Sequence, residues 1–152
     1  MYRNLFLIIT LLIFTVSCRK ENYYEKIVSE HIAPIDSVRA IVVIPGIGCL
    51  GCISGVERYL RLNFNKLSNV KFILTNIQSI KTLRLKIGDA INSPNICLDK
   101  NNIWYDTSNE NSIYPIVMRI KGKKILELEY ISPDNPRNLQ AILKGWGISL
   151  PS

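Results

Sequence analysis

Apolar positions follow three different patterns along the chain, and each predicts a different kind of element. Leu5–Val16 is almost wholly apolar, broken only by Thr10 and Thr15. Val38–Ile44 is a β-branched run, the pattern of a strand covered on both faces, and Val70–Leu74 reads as a second strand. Elsewhere apolar residues recur at helical spacing. From Cys49 onward Cys52, Val56, Tyr59, Leu60 and Asn63 fall on one face, with Glu57, Arg58 and Arg61 on the other. Ser79 can cap a second helix, whose Ile80, Leu83, Ile87 and Ile91 share a face.

The second half reads in the same way. Ile96–Leu98 is a short strand, Lys100-Asn101-Asn102 a turn, and Ile103–Tyr105 the return from it. Asp106–Ser112 is a polar loop. Pro115–Ile120 and Ile125–Tyr130 read as strands joined by the hairpin signal Lys121-Gly122-Lys123-Lys124. Asn135-Pro136 suits the start of a last helix, since proline at the first helical position loses no hydrogen bond. Leu139, Ile142, Leu143 and Trp146 form its apolar face, and Gly145 and Gly147 stop it. The predicted class is α/β, a central mixed sheet flanked by helices. The folded domain is expected over 37–152.

The first apolar block has another use. A transmembrane helix needs roughly 18–20 apolar residues, and Leu5–Val16 is shorter. A start carrying Arg3, a short apolar centre and a small residue before a cysteine describe a secretory signal. Val16-Ser17-Cys18 resembles the end of a bacterial lipobox, although Thr15 stands where leucine is usual. The resemblance implies a signal peptide over 1–17 and diacylglycerol on the Cys18 sulfur. Each buried acyl methylene contributes about 0.8 kcal/mol, so two or three chains hold a protein stably. Residues 18–36 then read as a lipidated tether, with a short helix near Tyr23–His31 ending before Pro34. The location implied is the bacterial cell envelope, on a membrane and facing the periplasm.

Charge changes this picture little. The chain carries a formal +7, and loss of residues 1–17 removes only Arg3, leaving +6. The basic residues are scattered, with no basic run interleaved with aromatics, so nucleic acid is not the expected partner. Solvated faces are the plain reading of these charges. Cys97 lies in a short apolar strand and reads as an inert core thiol. Trp104 and Trp146 read as core. Asp99, Asp106 and Glu110 cluster only in sequence and are not assigned to catalysis.

Cys49-Leu50-Gly51-Cys52 carries the candidate chemistry. A CxxC alone is a weak signal, shared with zinc sites and haem attachment. Here it follows a buried strand and opens a helix, where unpaired amides and the helix dipole favour a thiolate. Cys49 is therefore the candidate nucleophile, and Cys52, on the inward stripe, the resolving thiol.

With Ile41–Ile44, this CxxC and Tyr114-Pro115-Ile116-Val117-Met118 in place, the chain resembles the thioredoxin superfamily. The long interval from Cys52 to Pro115 looks like the exported TlpA-like branch, and like small lipoproteins of Bacteroidetes type. The resemblance implies a thioredoxin-like fold with the CxxC at a helix N-terminus. It implies a cis bond between Tyr114 and Pro115 facing the dithiol. Tyr114 would offer its backbone to a substrate strand, and Pro115 would keep bulky side chains or metals away from the sulfurs. Two positions depart from the family. Gly48 replaces the aromatic before the first cysteine, and Val43 stands where many members carry a buried acid. Proton removal from Cys52 would then need another base or water.

The function expected is a membrane-tethered thiol–disulfide oxidoreductase acting on exported protein or peptide disulfides, as reductant or isomerase, with an envelope electron donor. No cofactor or metal is assigned. Two alternatives stay open. One is a non-catalytic docking module on an envelope complex. The other is Cu(I) handling by the two thiolates, against which stands the lack of any histidine after His31. The lipid reading is checked directly: Cys18→Ala should abolish incorporation of labelled fatty acid and leave the precursor unprocessed.

Overall fold

The computed structural model describes residues 22–32 and 37–148. The expected signal peptide, Cys18 and the other residues of 1–21, 33–36 and 149–152 lie outside the described residues. Helix α1 spans Tyr23–His31, strand β1 Ala40–Pro45 and helix α2 Leu50–Asn63. Strand β2 is Val70–Thr75, helix α3 Ile80–Ile87 and strand β3 Ile96–Leu98. Strands β4 (Ile116–Lys121) and β5 (Lys124–Tyr130) precede helix α4 (Leu139–Gly145).

The strands form one mixed sheet in the order β3-β2-β1-β4-β5. β1, β2 and β3 run parallel, and β4 and β5 add as an antiparallel hairpin. β1 is central, and all six of its residues are buried. That explains its unbroken apolar sequence, since an inner strand meets side chains above and below. β1, β2 and β3 step outward in one direction, so right-handed crossovers put α2 and α3 on one face. The packing agrees. Ala40, Val42 and Ile44 of β1 meet Ile53, Val56 and Leu60 of α2, Leu83 and Ile87 of α3, and Leu139 and Leu143 of α4.

The opposite face is where the sequence reading needs correction. Residues 18–36 read as a tether, yet α1 is part of the folded body. Tyr24, Ile27 and Val28 are buried against Ile41, Val43, Met118 and Trp104. The parallel strands send both crossovers to the other face, and α1 covers what they leave open. Asn22 caps it, its side chain accepting from the Tyr24 N–H.

Local chemistry accounts for most other boundaries. Ser79 caps α3 as expected, accepting from the Thr82 N–H. The last helix begins later than Asn135-Pro136, because Asn138 is the residue whose side chain accepts from the Ala141 N–H. Asn135 instead donates its amide to the Tyr130 carbonyl. Gly147, at φ 68°, closes α4 while the Ile148 N–H returns to the Leu143 carbonyl. Ile103–Tyr105 is a turn, not a strand. Buried Asp99 makes it so, accepting from the Ile103 and Trp104 amides and the Thr75 hydroxyl. Among the described residues no helix is long and apolar enough to cross a membrane.

If α1 belongs to the fold, truncating its buried aromatic should behave as a core mutation. Tyr24→Ala is expected to cost about 3 kcal/mol, read as a lowered urea midpoint. A residue in a solvated tether would leave that midpoint in place.

Candidate functional site

β1 ends at Pro45, the chain turns through Gly46-Ile47-Gly48, and Cys49 becomes the N-cap of α2. Cys49 and Cys52 are joined as a disulfide, with their Cα atoms 5.3 Å apart. Cys49 makes no side-chain capping bond, and the first turn of α2 carries no acidic residue. When the pair is reduced, the Cys49 sulfur occupies the place of a capping oxygen, beside amides that no carboxylate neutralises. Both cysteines are half-buried, and Cys52 packs against the apolar core beneath α2.

The turn is held from across the molecule. The Cys49 N–H donates to the Ile113 carbonyl at 3.0 Å. This brings two backbones close together, and Gly48 is the residue between them. Gly48 has φ 153°, and a Cβ there would sit 2.8 Å from the Ile113 carbonyl carbon. The departure at position 48 thus has a physical reason, because no side chain fits there, least of all an aromatic one. Gly46 is constrained in the same way, its missing Cβ lying 3.1 Å from the Asn76 carbonyl carbon.

The Ile113 contact carries Tyr114 and Pro115 to the dithiol end of the sheet, in line with their sequence position. Their geometry differs from expectation. Among the described residues no peptide bond is cis, so Tyr114–Pro115 is trans. Tyr114 is extended (φ −103°, ψ 148°), and its N–H is already bonded to the Asn111 carbonyl as the cap of a short 3₁₀ turn. Only its carbonyl could serve an incoming strand. Pro115 is buried, and its carbonyl accepts from the Ile131 N–H.

The position read as a missing acid also changes meaning. β1 alternates, so Val42 and Ile44 face α2 whereas Val43 faces α1 with Ile116 and Trp104. An acid at position 43 would lie across the sheet from Cys52. The carboxylate that α2 does bury is Glu57, 5 % exposed, which the helical pattern places on the polar face. It pairs with Lys86 of α3 at 3.2 Å and lines a small cavity with Pro45, Thr75 and Gln78. That cavity does not include either cysteine of the dithiol. Glu57 therefore ties α2 to α3.

Cys52 instead opens onto a groove of about 370 Å³, lined by Gly51, Gly55, Arg58, Tyr59, Ile131 and Leu139 among others. Burial pushes the Tyr59 phenol up, so it stands there as a neutral hydroxyl. Sequence reasoning did not find this groove, nor Ile113, whose role belongs to its backbone and leaves no mark in residue type. Cys97 is a free thiol, half-buried, at a separate cavity of about 560 Å³ with His31, Lys71 and Trp104. Among the described residues no group of three or more His, Cys, Asp or Glu is arranged to hold a metal ion.

Compared with known proteins, the chain matches no family model, no curated protein and no solved structure. The reading of the site therefore stands on its geometry. Adding a methyl at two glycines tests that geometry. Gly48→Ala should lose about 1–3 kcal/mol through forced backbone strain and loosen the dithiol turn. Gly51→Ala, with open space around its missing Cβ, should match or slightly exceed the wild type in thermal melts.

Proposed function

We propose that this protein is a lipid-anchored thiol–disulfide oxidoreductase of thioredoxin-like architecture, working on disulfides of exported proteins or peptides. The observation that carries the reading is the Cys49–Cys52 disulfide at the N-cap of α2, directly after the central strand. Three further features support it. β1 is flanked by parallel β2 and antiparallel β4, with the β4–β5 hairpin and α4 closing the domain. The segment Ile113–Pro115 abuts Cys49, where the resemblance expects a substrate-facing proline. Cys52 sits one helical turn inward, shielded beside its groove.

The chemistry follows from these positions. The reduced Cys49 thiolate attacks one sulfur of a substrate disulfide and expels the other as a thiolate. The Cys52 thiolate then attacks the Cys49 sulfur of the mixed disulfide, releasing the second substrate thiol and leaving Cys49–Cys52 oxidised. Two electrons pass to the substrate, and a dithiol donor in the envelope must return them. For isomerisation the substrate's own thiol resolves the mixed disulfide, and no donor is required.

Two observations favour a second reading, a docking module that keeps the fold without turnover. The Tyr114–Pro115 bond is trans, and among the described residues no carboxylate lines the groove that holds Cys52. Trapping separates the two. Cys52→Ser should accumulate mixed disulfides with partner proteins, seen as reductant-sensitive bands on non-reducing gels, whereas Cys49→Ser should trap few. The Cys49 thiol should also alkylate several-fold faster than an unstructured cysteine. Equal trapping by both variants, with ordinary alkylation, is the result that decides for the docking module.

A further inference from the structure

The direction of α1 determines which end of the domain the membrane anchor leaves from. β1 runs toward the dithiol, ending at Pro45. β4 is antiparallel to it, with Ile116 opposite Val43 and Arg119 opposite Ala40, so the β4–β5 hairpin turn lies at the far end. The C-terminal half of α1 meets that far end, where Lys123 Nζ donates to the Ser29 carbonyl at 2.8 Å. The N-terminus of α1 meets the other end, where the Tyr23 hydroxyl donates to the Ile103 carbonyl at 2.8 Å. That carbonyl belongs to the loop that leaves β3 and returns at Ile113 beside Cys49. Helix α1 thus runs from the dithiol end to the hairpin end.

Asn22, the cap of α1, follows Cys18 by four residues. Four residues reach at most about 14 Å when fully extended. The long tether that would let the domain turn freely above a bilayer does not exist, because α1 is docked on the sheet. The surface at this end is mixed: exposed Lys100, Asn101, Glu110 and Asn111 stand beside a set of exposed apolar side chains. Eight large apolar side chains stand exposed among the described residues, and five of them are here: Tyr23, Ile47, Leu50, Ile80 and Ile113. Leu50 is 78 % exposed and Ile47 52 %, and with Ile113 they belong to the turn and loop around Cys49. Exposed aliphatic side chains interleaved with polar ones at one end suit the boundary between headgroups and acyl chains.

We propose that the dithiol end of the domain rests on the membrane that anchors it. Ile47, Leu50 and Ile113 seat in the lipid interface, and Cys49 meets disulfides presented at that surface, on lipoproteins or next to membrane spans. This rests on the reading of Cys18 as the lipid-bearing residue.

The test uses the full chain, lipidated in a bacterial host and reconstituted into phosphatidylcholine–phosphatidylglycerol vesicles containing nitroxide-labelled phosphatidylcholine. Leu50→Trp places a fluorophore at the dithiol end and Leu126→Trp one on the exposed side of β5. The native Trp104 and Trp146 are both buried and contribute a common background. The expected result is that more than half of the added emission is quenched at position 50 and almost none at position 126. Protein that sediments with the vesicles but shows no quenching at position 50, or equal quenching at both, overturns the orientation and leaves the apolar rim to a protein partner. Protein that stays in the supernatant overturns the lipid reading of Cys18, and the orientation with it.

Discussion

The hydrogen bond from the Cys49 amide to the Ile113 carbonyl joins two parts of the chain far apart in sequence, and it organises the whole dithiol end. On one side is the turn leaving the central strand; on the other is the segment that leads into β4. Because β4 pairs with β1, the start of β4 and the end of β1 already share an edge of the sheet. The bond converts that neighbourhood into a defined distance. Gly48 makes the approach possible, since any Cβ would occupy the space of the Ile113 carbonyl. A backbone bond also satisfies an amide that the helix itself cannot, and leaves the N-cap position to a sulfur.

The two faces of the sheet divide the labour. The face beneath α2, α3 and α4 supports the dithiol, with Ile53, Val56 and Leu60 securing the helix that Cys49 heads. Exposed Lys86 reaches the buried Glu57 carboxylate and links α2 to α3 where an unpaired carboxylate would be costly. The other face is closed by α1 and by the loop that Asp99 and Asp106 organise. Asp99 accepts three hydrogen bonds, and Asp106 holds Ser108 through its carboxylate and Ser112 through its carbonyl. These carboxylates serve structure, which is why their grouping in sequence carried no chemistry. Through Tyr23 the same loop receives the start of α1, so α1, the loop and the dithiol are mechanically connected.

Much of this was legible in the residues themselves. Short apolar runs such as Ile41–Ile44 and Phe72–Leu74 located the inner strands, and helical spacing located α2, α3 and α4. Ser79, Gly147 and the Lys121–Lys124 turn marked boundaries through local hydrogen bonding alone. The CxxC at a strand-to-helix junction identified the candidate site, because both its placement and its chemistry are properties of a few consecutive residues.

What local sequence could not contain was the outcome of packing between distant segments. Tyr23–His31 is a weakly amphipathic stretch that reads as a tether on its own. It becomes core because the crossovers leave one face of the sheet uncovered. Glu57 looks solvated on a helical wheel, and only the approach of α3 buries it and pairs it with Lys86. Val43 points to α1 and not to the dithiol, a matter of strand parity once β1 is set in the sheet. The trans bond at Pro115 and the bond from Cys49 to Ile113 depend on backbone atoms, which are the same in every residue. The sequence by itself determined the elements and the reactive pair, through periodicity and residue chemistry. The tertiary structure alone decided which faces close, what surrounds the sulfurs and at which end of the sheet α1 begins.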